Sequence, residues 1–178
     1  MAEHRAWFLL GSNIEPVVHL AKAVARLAQR TGVEAVSSAW QSPPADGRNQ
    51  PDYLNAAVLV RTRLSPEAIL TEVIAPVERA LGRERTADKY APRTIDIDLA
   101  LYDDRIESCA GKPLPHPDIL RRAFFVLPLA EISPEKIHPG TGETLRVIAA
   151  RLDDGTVRRR EDVKLVEPAP ARPAGGPE

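Results

Sequence analysis

Asp96 and Asp98 are the strongest chemical signal in the sequence, because they alternate with apolar residues over the segment 94–102. This alternation predicts a β-strand in which the two carboxylates point the same way, about 6 to 7 Å apart. Neighbouring carboxylates repel each other unless cations compensate, and Mg²⁺ held by one or two carboxylates and substrate phosphates suits such a pair. A solvent-facing strand with ordinary alternation would look the same. The apolar residues on the predicted inner side are Ile95, Ile97, Leu99 and Leu101.

The loop that leads into this strand, GRERTADKYAPR, carries four basic residues, namely Arg83, Arg85, Lys89 and Arg93. Guanidinium groups bind phosphoryl oxygens in a bidentate way and stabilise the charge that develops during phosphoryl transfer. Because the loop also contains acidic residues, a solvated charged loop is the alternative interpretation. Its position next to the paired aspartates favours a phosphate site.

Tyr53 and Asn55 share one side of another alternating segment and offer an aromatic ring beside an amide that both donates and accepts hydrogen bonds. That combination suits a flat heterocycle, but many strands contain it without a ligand. His116 either contacts a phosphate or caps a turn. The sequence has no Walker-type loop and no protein-kinase signature, so a nucleotide would have to be bound in another way.

The elements that would position these residues follow from apolar periodicity and turn residues. An apolar run from Arg5 to Leu10 predicts a first strand, and Pro16 opens an amphipathic helix that ends near Gly32. Strands are predicted over residues 33–41 and 53–63. The polar segment between them, SPPADGRNQPD, predicts a mobile surface loop.

A second helix is predicted between Ser65, a suitable N-cap, and Gly82, with Pro76 bending or interrupting it. After the aspartate strand, the sequence predicts a short helix from Asp118 and another with an apolar face over residues 145–152. The order β, α, β, β, α, β is typical of a ferredoxin-like α+β sandwich, in which two helices pack on one face of a mainly antiparallel sheet.

Composition narrows the class of protein. A chain of 178 residues with 43% hydrophobic content can form one domain with its own core, and a net charge of -1 gives no general attraction to nucleic acid or anionic membranes. The single cysteine, Cys109, excludes an internal disulfide, and no apolar run is long enough to cross a bilayer. We therefore expect a cytoplasmic monomer with neither a membrane nor a nucleic-acid partner.

The C-terminal end, EPAPARPAGGPE, is rich in Pro, Ala and Gly and is expected to be disordered. We therefore divide the chain into a domain over residues 1–154 and an extension over residues 155–178 that is expected to be largely disordered.

Four blocks of sequence together resemble the 6-hydroxymethyl-7,8-dihydropterin pyrophosphokinase family, over roughly residues 6–152. They are FLLGSN, SPP followed by QPDYLNAAV, LGRERTADKYAPRTIDIDL, and PHPDILRRAFFVLPLAEISP, in the family's order and approximate spacing. The resemblance implies a ferredoxin-like fold, in agreement with the element order. It also implies an enzyme of folate biosynthesis that transfers pyrophosphate from ATP to the pterin hydroxymethyl group, releases AMP, and uses two Mg²⁺ ions.

The resemblance implies a role for each matching position. Asp96 and Asp98 would hold both metal ions, and one of them would also orient or deprotonate the attacking hydroxyl. With these aspartates, Arg83 and Arg93 are expected to be catalytic. The residues expected to contact ATP are Glu78, Arg83, Arg85, Lys89, Arg93, His116 and Arg122. Those expected to enclose the pterin, between two aromatic rings, are Ser42, Pro43, Pro44, Tyr53, Asn55 and Phe124. The loops SPPADGRNQPD and GRERTADKYAPR would close over both substrates.

The chain departs from the family pattern near the nucleotide. Ala75 stands where a glutamine faces the adenine site, and Pro76 disturbs a helix that contributes to ATP binding. Lys89, Tyr90 and Ala91 stand where an arginine, a tryptophan and a glycine are common. These changes bear on nucleotide affinity and loop closure rather than on reaction type.

Two classes of binding protein compete with the enzyme interpretation. A ferredoxin-like sheet also serves RNA-binding modules, but an aromatic content of 4% and a near-neutral charge count against one. A regulatory small-ligand module would have no evident use for paired aspartates beside an arginine-rich loop.

Overall fold

The computed structural model describes residues 2–166 and places the N-terminal apolar run in an inner strand of an antiparallel sheet. The strands are, in chain order, β1 (His4–Ser12), β2 (Gly32–Val36), β3 (Ala39–Ser42), β4 (Tyr53–Thr62), β5 (Asp96–Tyr102), β6 (Glu107–Cys109), β7 (Lys112–Leu114) and β8 (Arg158–Arg160). The main sheet has the order β5-β1-β4-β3-β8, with β2 paired to β4, and β6 and β7 form a separate hairpin. The antiparallel pairing of β1 with β4 and β5 confirms the ferredoxin-like prediction.

Helices cover both faces of the main sheet. They are α1 (Pro16–Ala28), α2 (Pro66–Ala68), α3 (Ala75–Ala80), α4 (Ala123–Ile132) and α5 (Leu145–Leu152). Phe8 and Leu9, adjacent in β1, point to opposite faces: Phe8 lies in the apolar cluster under α1 and α3, and Leu9 in the cluster under α4 and α5. The two helices predicted on one face are present. On the other face, α5 confirms the helix predicted over residues 145–152, the short helix predicted from Asp118 is a 3₁₀ turn over Pro117–Leu120, and α4 was not predicted. No helix within residues 2–166 has the length and apolar character needed to span a bilayer.

Two predicted boundaries are wrong. α1 ends at Ala28 rather than near Gly32, and Gly32 instead begins β2. The single strand predicted over residues 33–41 is two strands, because the chain turns out of the ladder at Ser37. The Ser37 hydroxyl accepts a hydrogen bond from the Ala57 amide at 2.8 Å and so replaces a backbone carbonyl in the pairing with β4.

The alternation in β5 is confirmed as far as Leu99 and then breaks. Ala100 is a bulge in the pairing of β5 with β1. Leu101 therefore lies in the cluster under α4 rather than in the cluster that contains Leu99. Asp96 and Asp98 precede the bulge and stay on one side of the strand.

The second predicted helix is interrupted, as expected from Pro76. Ser65 caps α2, which gives way to a π-helical segment, Ile69–Ile74, before α3. The carbonyl of Glu72, four residues before Pro76, lacks that residue as an α-helical donor and accepts a hydrogen bond from Arg30 at 3.2 Å. The proline is thus accommodated by a local change of helix type and a side-chain donor.

The segment that follows residue 154 contributes to the sheet. β8 pairs with β3, and Val163 and Leu165 are buried in the cluster under α1 and α3. The disorder predicted for residues 167–178 lies outside the described residues. The division of the chain at residue 154 stays a prediction.

Candidate active site

Three strands bring the predicted chemistry to one end of the sheet, on the face covered by α4. Gly11 of β1 pairs with Asp96 on one side and with Asn55 on the other. Because paired residues in antiparallel strands point the same way, Asp96 and Asn55 share this face. Strands lie about 4.8 Å apart, so roughly 10 Å separates the backbones of Asp96 and Asn55. A phosphate beside the aspartates and a heterocycle beside Asn55 would therefore be neighbours.

A cleft of about 220 Å³ opens over this row of residues. All six residues expected to enclose the pterin line it, and so do four of those expected to bind phosphates or metal. These ten residues are Ser42, Pro43, Pro44, Tyr53, Asn55, Phe124, Lys89, Arg93, Asp96 and Asp98. Side chains from distant parts of the chain therefore converge on one cavity.

Asp96 is held by two arginines. Arg93 Nη1 donates to Asp96 Oδ2 at 2.8 Å, and Arg83 Nη2 lies 3.6 Å from Asp96 Oδ1. Both guanidinium side chains are largely buried, and Arg83 Nε has no hydrogen-bond acceptor among residues 2–166. A buried guanidinium with an unmatched N–H group is well suited to an anionic ligand.

The negative charge of Asp98 is poorly compensated. Burial, followed by the charge of Asp96, raises the pKa of Asp98 to about 7. His116 Nε2 lies 3.8 Å from Asp98 Oδ1, but burial lowers the pKa of His116, so the imidazole is mainly neutral near pH 7. The ring of His116 is fixed by stacking on Phe125, with centroids 4.5 Å apart. A cation bound beside the aspartate pair would therefore be electrostatically favoured.

Glu78 supports the aspartate strand from outside the cleft. Its Oε1 accepts a hydrogen bond from the Ile97 amide at 2.9 Å, and its Oε2 accepts one from Arg85 at 3.0 Å. β5 is an edge strand, so an amide that faces away from β1 needs an acceptor outside the sheet. Burial raises the pKa of Glu78. The geometry thus connects α3 to the residue between Asp96 and Asp98.

Arg85, Lys89 and Arg122 are exposed at the edges of this region. The Arg85 side chain is 71% exposed and pairs with Glu78. Lys89 Nζ lies 4.8 Å from the centroid of the Tyr90 ring. Arg122 is the N-cap of α4, two residues before Phe124. Their roles in ATP binding stay predictions.

Asn55 is fixed in one orientation. Its Nδ2 donates to the Trp40 carbonyl at 3.1 Å and to Ser42 Oγ at 2.9 Å, and the side chain is buried. Because both amide hydrogens are used, Oδ1 remains as an acceptor on the side of Gly11. Tyr53 and Phe124 add aromatic surface to the same cleft. A flat ring with an N–H group at its edge fits this set of contacts.

Several residues that build the cleft were missed by the sequence reasoning. Asn13 holds the arginine-rich loop in place. Its side-chain Oδ1 accepts a hydrogen bond from the backbone amide of Arg93 at 2.9 Å, and its backbone amide donates to the Arg93 carbonyl at 3.2 Å. Asn13 lies in the FLLGSN block, which was its one signal. The cleft is also lined by residues to which no individual role was given. Ala45, Asp46 and Gln50 belong to the loop that was expected to close over the substrates, and Leu9, Gly11, Asp118 and Phe125 lie in the first and last of the four blocks.

The donor set fits Mg²⁺ that arrives with a nucleotide. Within residues 2–166 no group of three or more His, Cys, Asp or Glu side chains could hold a metal ion. Asp96 and Asp98 supply two carboxylates that are partly open to the cleft, and Mg²⁺ commonly takes its remaining ligands from phosphate and water. The pKa of Asp98 is raised by burial and then by the charge of Asp96, and a cation bound beside the pair would favour the ionised carboxylate.

The chain is similar in sequence to one family of enzymes. A family model described as 7,8-dihydro-6-hydroxymethylpterin-pyrophosphokinase (HPPK) matches residues 7–134. The chain is 40% identical over 152 residues to the 2-amino-4-hydroxy-6-hydroxymethyldihydropteridine pyrophosphokinase of Synechocystis sp., a match that covers 84% of this chain and 77% of the relative. It is 41% identical over 160 residues to the protein of the same name from Methylorubrum extorquens. This match covers 88% of the present chain and 99% of the relative.

The fold is also similar to that of Plasmodium falciparum HPPK-DHPS. The crystal structure of the wild-type protein matches with a TM-score of 0.68 and 12% identity, over 89% of this chain and 48% of the Plasmodium chain. The present chain thus spans about half the length of that protein. At this level of identity the similarity concerns the fold alone.

Proposed function

The chain belongs to the 7,8-dihydro-6-hydroxymethylpterin-pyrophosphokinase family, and from this premise we propose that the cleft over β1, β4 and β5 is its active site. The enzyme transfers pyrophosphate from ATP to the hydroxymethyl group of 6-hydroxymethyl-7,8-dihydropterin, giving AMP and the pterin diphosphate, a step of folate biosynthesis. The hydroxymethyl oxygen forms a bond to the β-phosphorus, and the bond from that phosphorus to the oxygen shared with the α-phosphate breaks.

One observation carries the proposal: Asp96 and Asp98 line the same cleft as Tyr53, Asn55 and Phe124. The reaction needs two adjoining sites. One is an acidic pair that binds the cations on the ATP phosphates, and the other is a slot that binds the flat pterin ring. Because the two sites lie side by side, the hydroxymethyl group of a bound pterin can reach a phosphorus atom beside the aspartates. Positioning of this kind supplies much of the catalysis in phosphoryl transfer.

On the phosphate side, Asp96 and Asp98 would hold two Mg²⁺ ions together with oxygens of the ATP phosphates. Bound there, the ions neutralise the charge that develops as the pyrophosphoryl group is transferred. Arg83 and Arg93 already lie at Asp96 and would exchange that carboxylate for phosphate oxygens once cations occupy the aspartates. A carboxylate oxygen of the aspartate pair would accept the proton that the attacking hydroxyl loses.

On the pterin side, Asn55 Oδ1 would accept a hydrogen bond from the edge of the ring, while Tyr53 and Phe124 enclose its faces. Ser42 keeps Asn55 in this orientation, and Pro43 and Pro44 form the adjoining wall. Five further residues that were expected to contact ATP lie around the aspartate strand or its loops, and we include them in the proposed ATP site. They are Glu78, Arg85, Lys89, His116 and Arg122.

The decisive experiment mixes the purified protein with ATP, Mg²⁺ and 6-hydroxymethyl-7,8-dihydropterin and follows both products. We expect AMP and the pterin diphosphate in equal amounts, and ADP in their place would indicate an ordinary kinase. The variant Asp98→Asn should lower turnover by more than about a hundredfold, with an unchanged circular dichroism spectrum. Asp104→Asn is the matched control, because Asp104 is an exposed aspartate beyond the opposite end of β5. Equal turnover in Asp98→Asn and Asp104→Asn would remove the aspartate assignment.

The number of metal ions is tested without turnover. Mn²⁺ can replace Mg²⁺ and be counted by electron paramagnetic resonance in the presence of an ATP analogue with a methylene group between the α- and β-phosphorus atoms. The proposal requires two ions per wild-type chain and fewer in Asp98→Asn. A single ion in the wild type would leave the reaction intact but overturn the two-ion arrangement.

We also propose that the enzyme acts as a cytoplasmic monomer. The cleft of a single chain supplies both the acidic pair and the pterin slot, so the proposed site needs no residue from a second copy. Light scattering at assay concentrations measures the oligomeric state, and a dimer whose dissociation abolishes turnover would contradict the monomer.

A further inference from the structure

Glu131 of α4 binds the strand that forms one wall of the cleft. Its Oε1 accepts hydrogen bonds from the Ser38 amide at 3.1 Å and the Ser38 hydroxyl at 2.8 Å. Its Oε2 accepts one from Trp40 Nε1 at 2.7 Å. Arg159 of β8 completes the group, with Nη2 3.5 Å from Glu131 Oε1 and Nε donating to Ser38 Oγ at 2.9 Å. One half-buried carboxylate therefore joins α4, β3 and β8.

The contact with Trp40 leads directly to the cleft. Trp40 pairs with Asn55 across β3 and β4, and its carbonyl accepts a hydrogen bond from Asn55 Nδ2. Ser42, two residues further along β3, accepts the second hydrogen bond of the same amide. Glu131 thus holds the segment of backbone that fixes the orientation of Asn55.

The opposite wall of the cleft is part of the same helix as Glu131. Phe124 lies seven residues before Glu131 in α4, which places the two on one face of the helix, two turns and about 10 Å apart. At its first turn this face meets the cleft, and at its last turn it binds β3. The separation between Phe124 and Asn55 therefore depends on how α4 is attached to β3.

We propose that Glu131 is a positioning residue that sets the width of the pterin slot between Phe124 and Asn55. The inference rests on the proposed function, because it takes these two residues as the walls of the pterin site. Glu131 does not line the cleft and acts through Trp40 and Ser38. Without the hydrogen bonds of Glu131, β3 is no longer held to α4 and the width of the slot varies. Part of the binding free energy of the pterin is then used to order the slot, so the pterin binds more weakly.

The partners of Glu131 make Glu131→Gln a sharp test. Ser38 N, Ser38 Oγ and Trp40 Nε1 all donate hydrogen bonds to this carboxylate, and Arg159 pairs with its charge. Because an amide presents an NH₂ group on one side, glutamine of nearly the same shape must place a donor against a donor. Trp40→Phe removes a single donor and keeps an aromatic ring, so it is the milder second variant. Glu135→Gln, at an exposed glutamate just after α4, is the matched control.

In steady-state assays, Glu131→Gln should raise KM for the pterin about tenfold, while kcat and KM for ATP stay within about twofold of the wild type. Trp40→Phe should raise KM for the pterin by about threefold, and Glu135→Gln should match the wild type. Pterin binding in the presence of the methylene ATP analogue, measured by calorimetry, should weaken by the same factors. In the double variant the two effects should be less than additive, because both remove the same attachment.

Three results would overturn the role of Glu131: an unchanged KM for the pterin, equal changes in both KM values and kcat, or fully additive single effects. If Glu131→Gln fails to fold, Trp40→Phe decides the matter through the same measurements. Failure of the proposed function looks different, because the wild type itself would then release no AMP and bind no pterin.

Discussion

Asp96 and Asn55 are separated by a single residue of β1, because both pair with Gly11 from opposite sides. The acidic half of the cleft and its amide half are therefore held on one sheet, at a distance fixed by two strand spacings. A glycine between them leaves the floor of the cleft open. This relationship turns an inconspicuous residue at the end of β1 into part of the site.

Gly11→Ala should weaken pterin binding and spare the fold. The new Cβ would lie 3.4 Å from Asn55 Oδ1 and 4.0 Å from Tyr53 Cδ1, so it meets no severe clash but covers the free acceptor of Asn55. We expect KM for the pterin to rise about tenfold or more, with the melting temperature nearly unchanged. Gly32→Ala is the control, since its Cβ would meet the Arg61 carbonyl at the same 3.4 Å far along the sheet from the cleft. Equal KM values in both variants would show that Gly11 does not border the bound pterin.

Gly11 also shows where sequence reasoning reaches its limit. The alternation of β4 and β5 predicted which side chains share a face of each strand, and the structure agrees for Tyr53 with Asn55 and for Asp96 with Asp98. Periodicity describes one strand at a time, so it cannot tell which strands are neighbours. The position of Gly11 between two functional residues exists only once β1 is inserted between β4 and β5.

The failure to predict α4 has a different physical cause. α4 has the sequence AFFVLPLAEI and is apolar on nearly all sides, so it shows no amphipathic stripe from which a helical period could be recognised. The same helix carries Phe124 at one end and Glu131 at the other. Similarly, the break between β2 and β3 depends on bonds from Ser37 and Ser38 to distant residues. Contacts of this range leave no local pattern.

The metal-free protein should become less stable as pH rises through the range in which Asp98 ionises. The pKa of Asp98 is about 7 in the fold, above its usual value near 3.9 when unfolded. Between these values the folded state keeps a proton that the unfolded state has lost, so stability falls with rising pH and the loss is complete above about pH 7. The difference of about three pKa units between the folded and unfolded states limits this loss of unfolding free energy to about 4 kcal/mol. Because a quarter of the side chain is exposed, the effect should be smaller than this limit.

Urea unfolding in the presence of a chelator measures this contribution. Asp98→Asn removes the ionisation, so the difference in unfolding free energy between the variant and the wild type should grow in favour of the variant from about pH 5 to pH 8. A difference that stays constant over this range would show that Asp98 titrates normally. Adding Mg²⁺ and ATP should reverse the order, since both should stabilise the wild type more than the variant.

Glu78→Ala should destabilise the fold through the edge of the sheet. The substitution leaves the buried Ile97 amide without its acceptor, which should cost about 1–3 kcal/mol. Glu78→Gln keeps an oxygen for this amide, and because burial already raises the pKa of Glu78, loss of the charge should cost little. We therefore expect Glu78→Gln to be close to the wild type in urea unfolding at neutral pH. Equal destabilisation by both substitutions would assign the effect to the ion pair with Arg85 instead.

Arg48 of the loop SPPADGRNQPD forms an ion pair with Asp88 of the loop GRERTADKYAPR. Breaking this pair should lower the efficiency of substrate capture and leave the stability of the fold nearly unchanged. Arg48 Nη1 lies 2.5 Å from Asp88 Oδ2, its guanidinium lies 5.5 Å from the Tyr90 ring centroid, and Gln50 donates to the Tyr90 carbonyl at 2.9 Å. Both charged side chains are nearly half exposed, so the melting temperature of Asp88→Arg should hardly change. Because the pair joins the two loops beside the cleft, its loss should lower kcat/KM by about threefold. The exchange variant that combines Arg48→Asp with Asp88→Arg should restore part of the loss. The attraction between the loops is re-formed with the charges reversed, but Arg48→Asp also removes the ion pair with Asp46. A double variant that is as impaired as Asp88→Arg alone would show that the loops close without this contact.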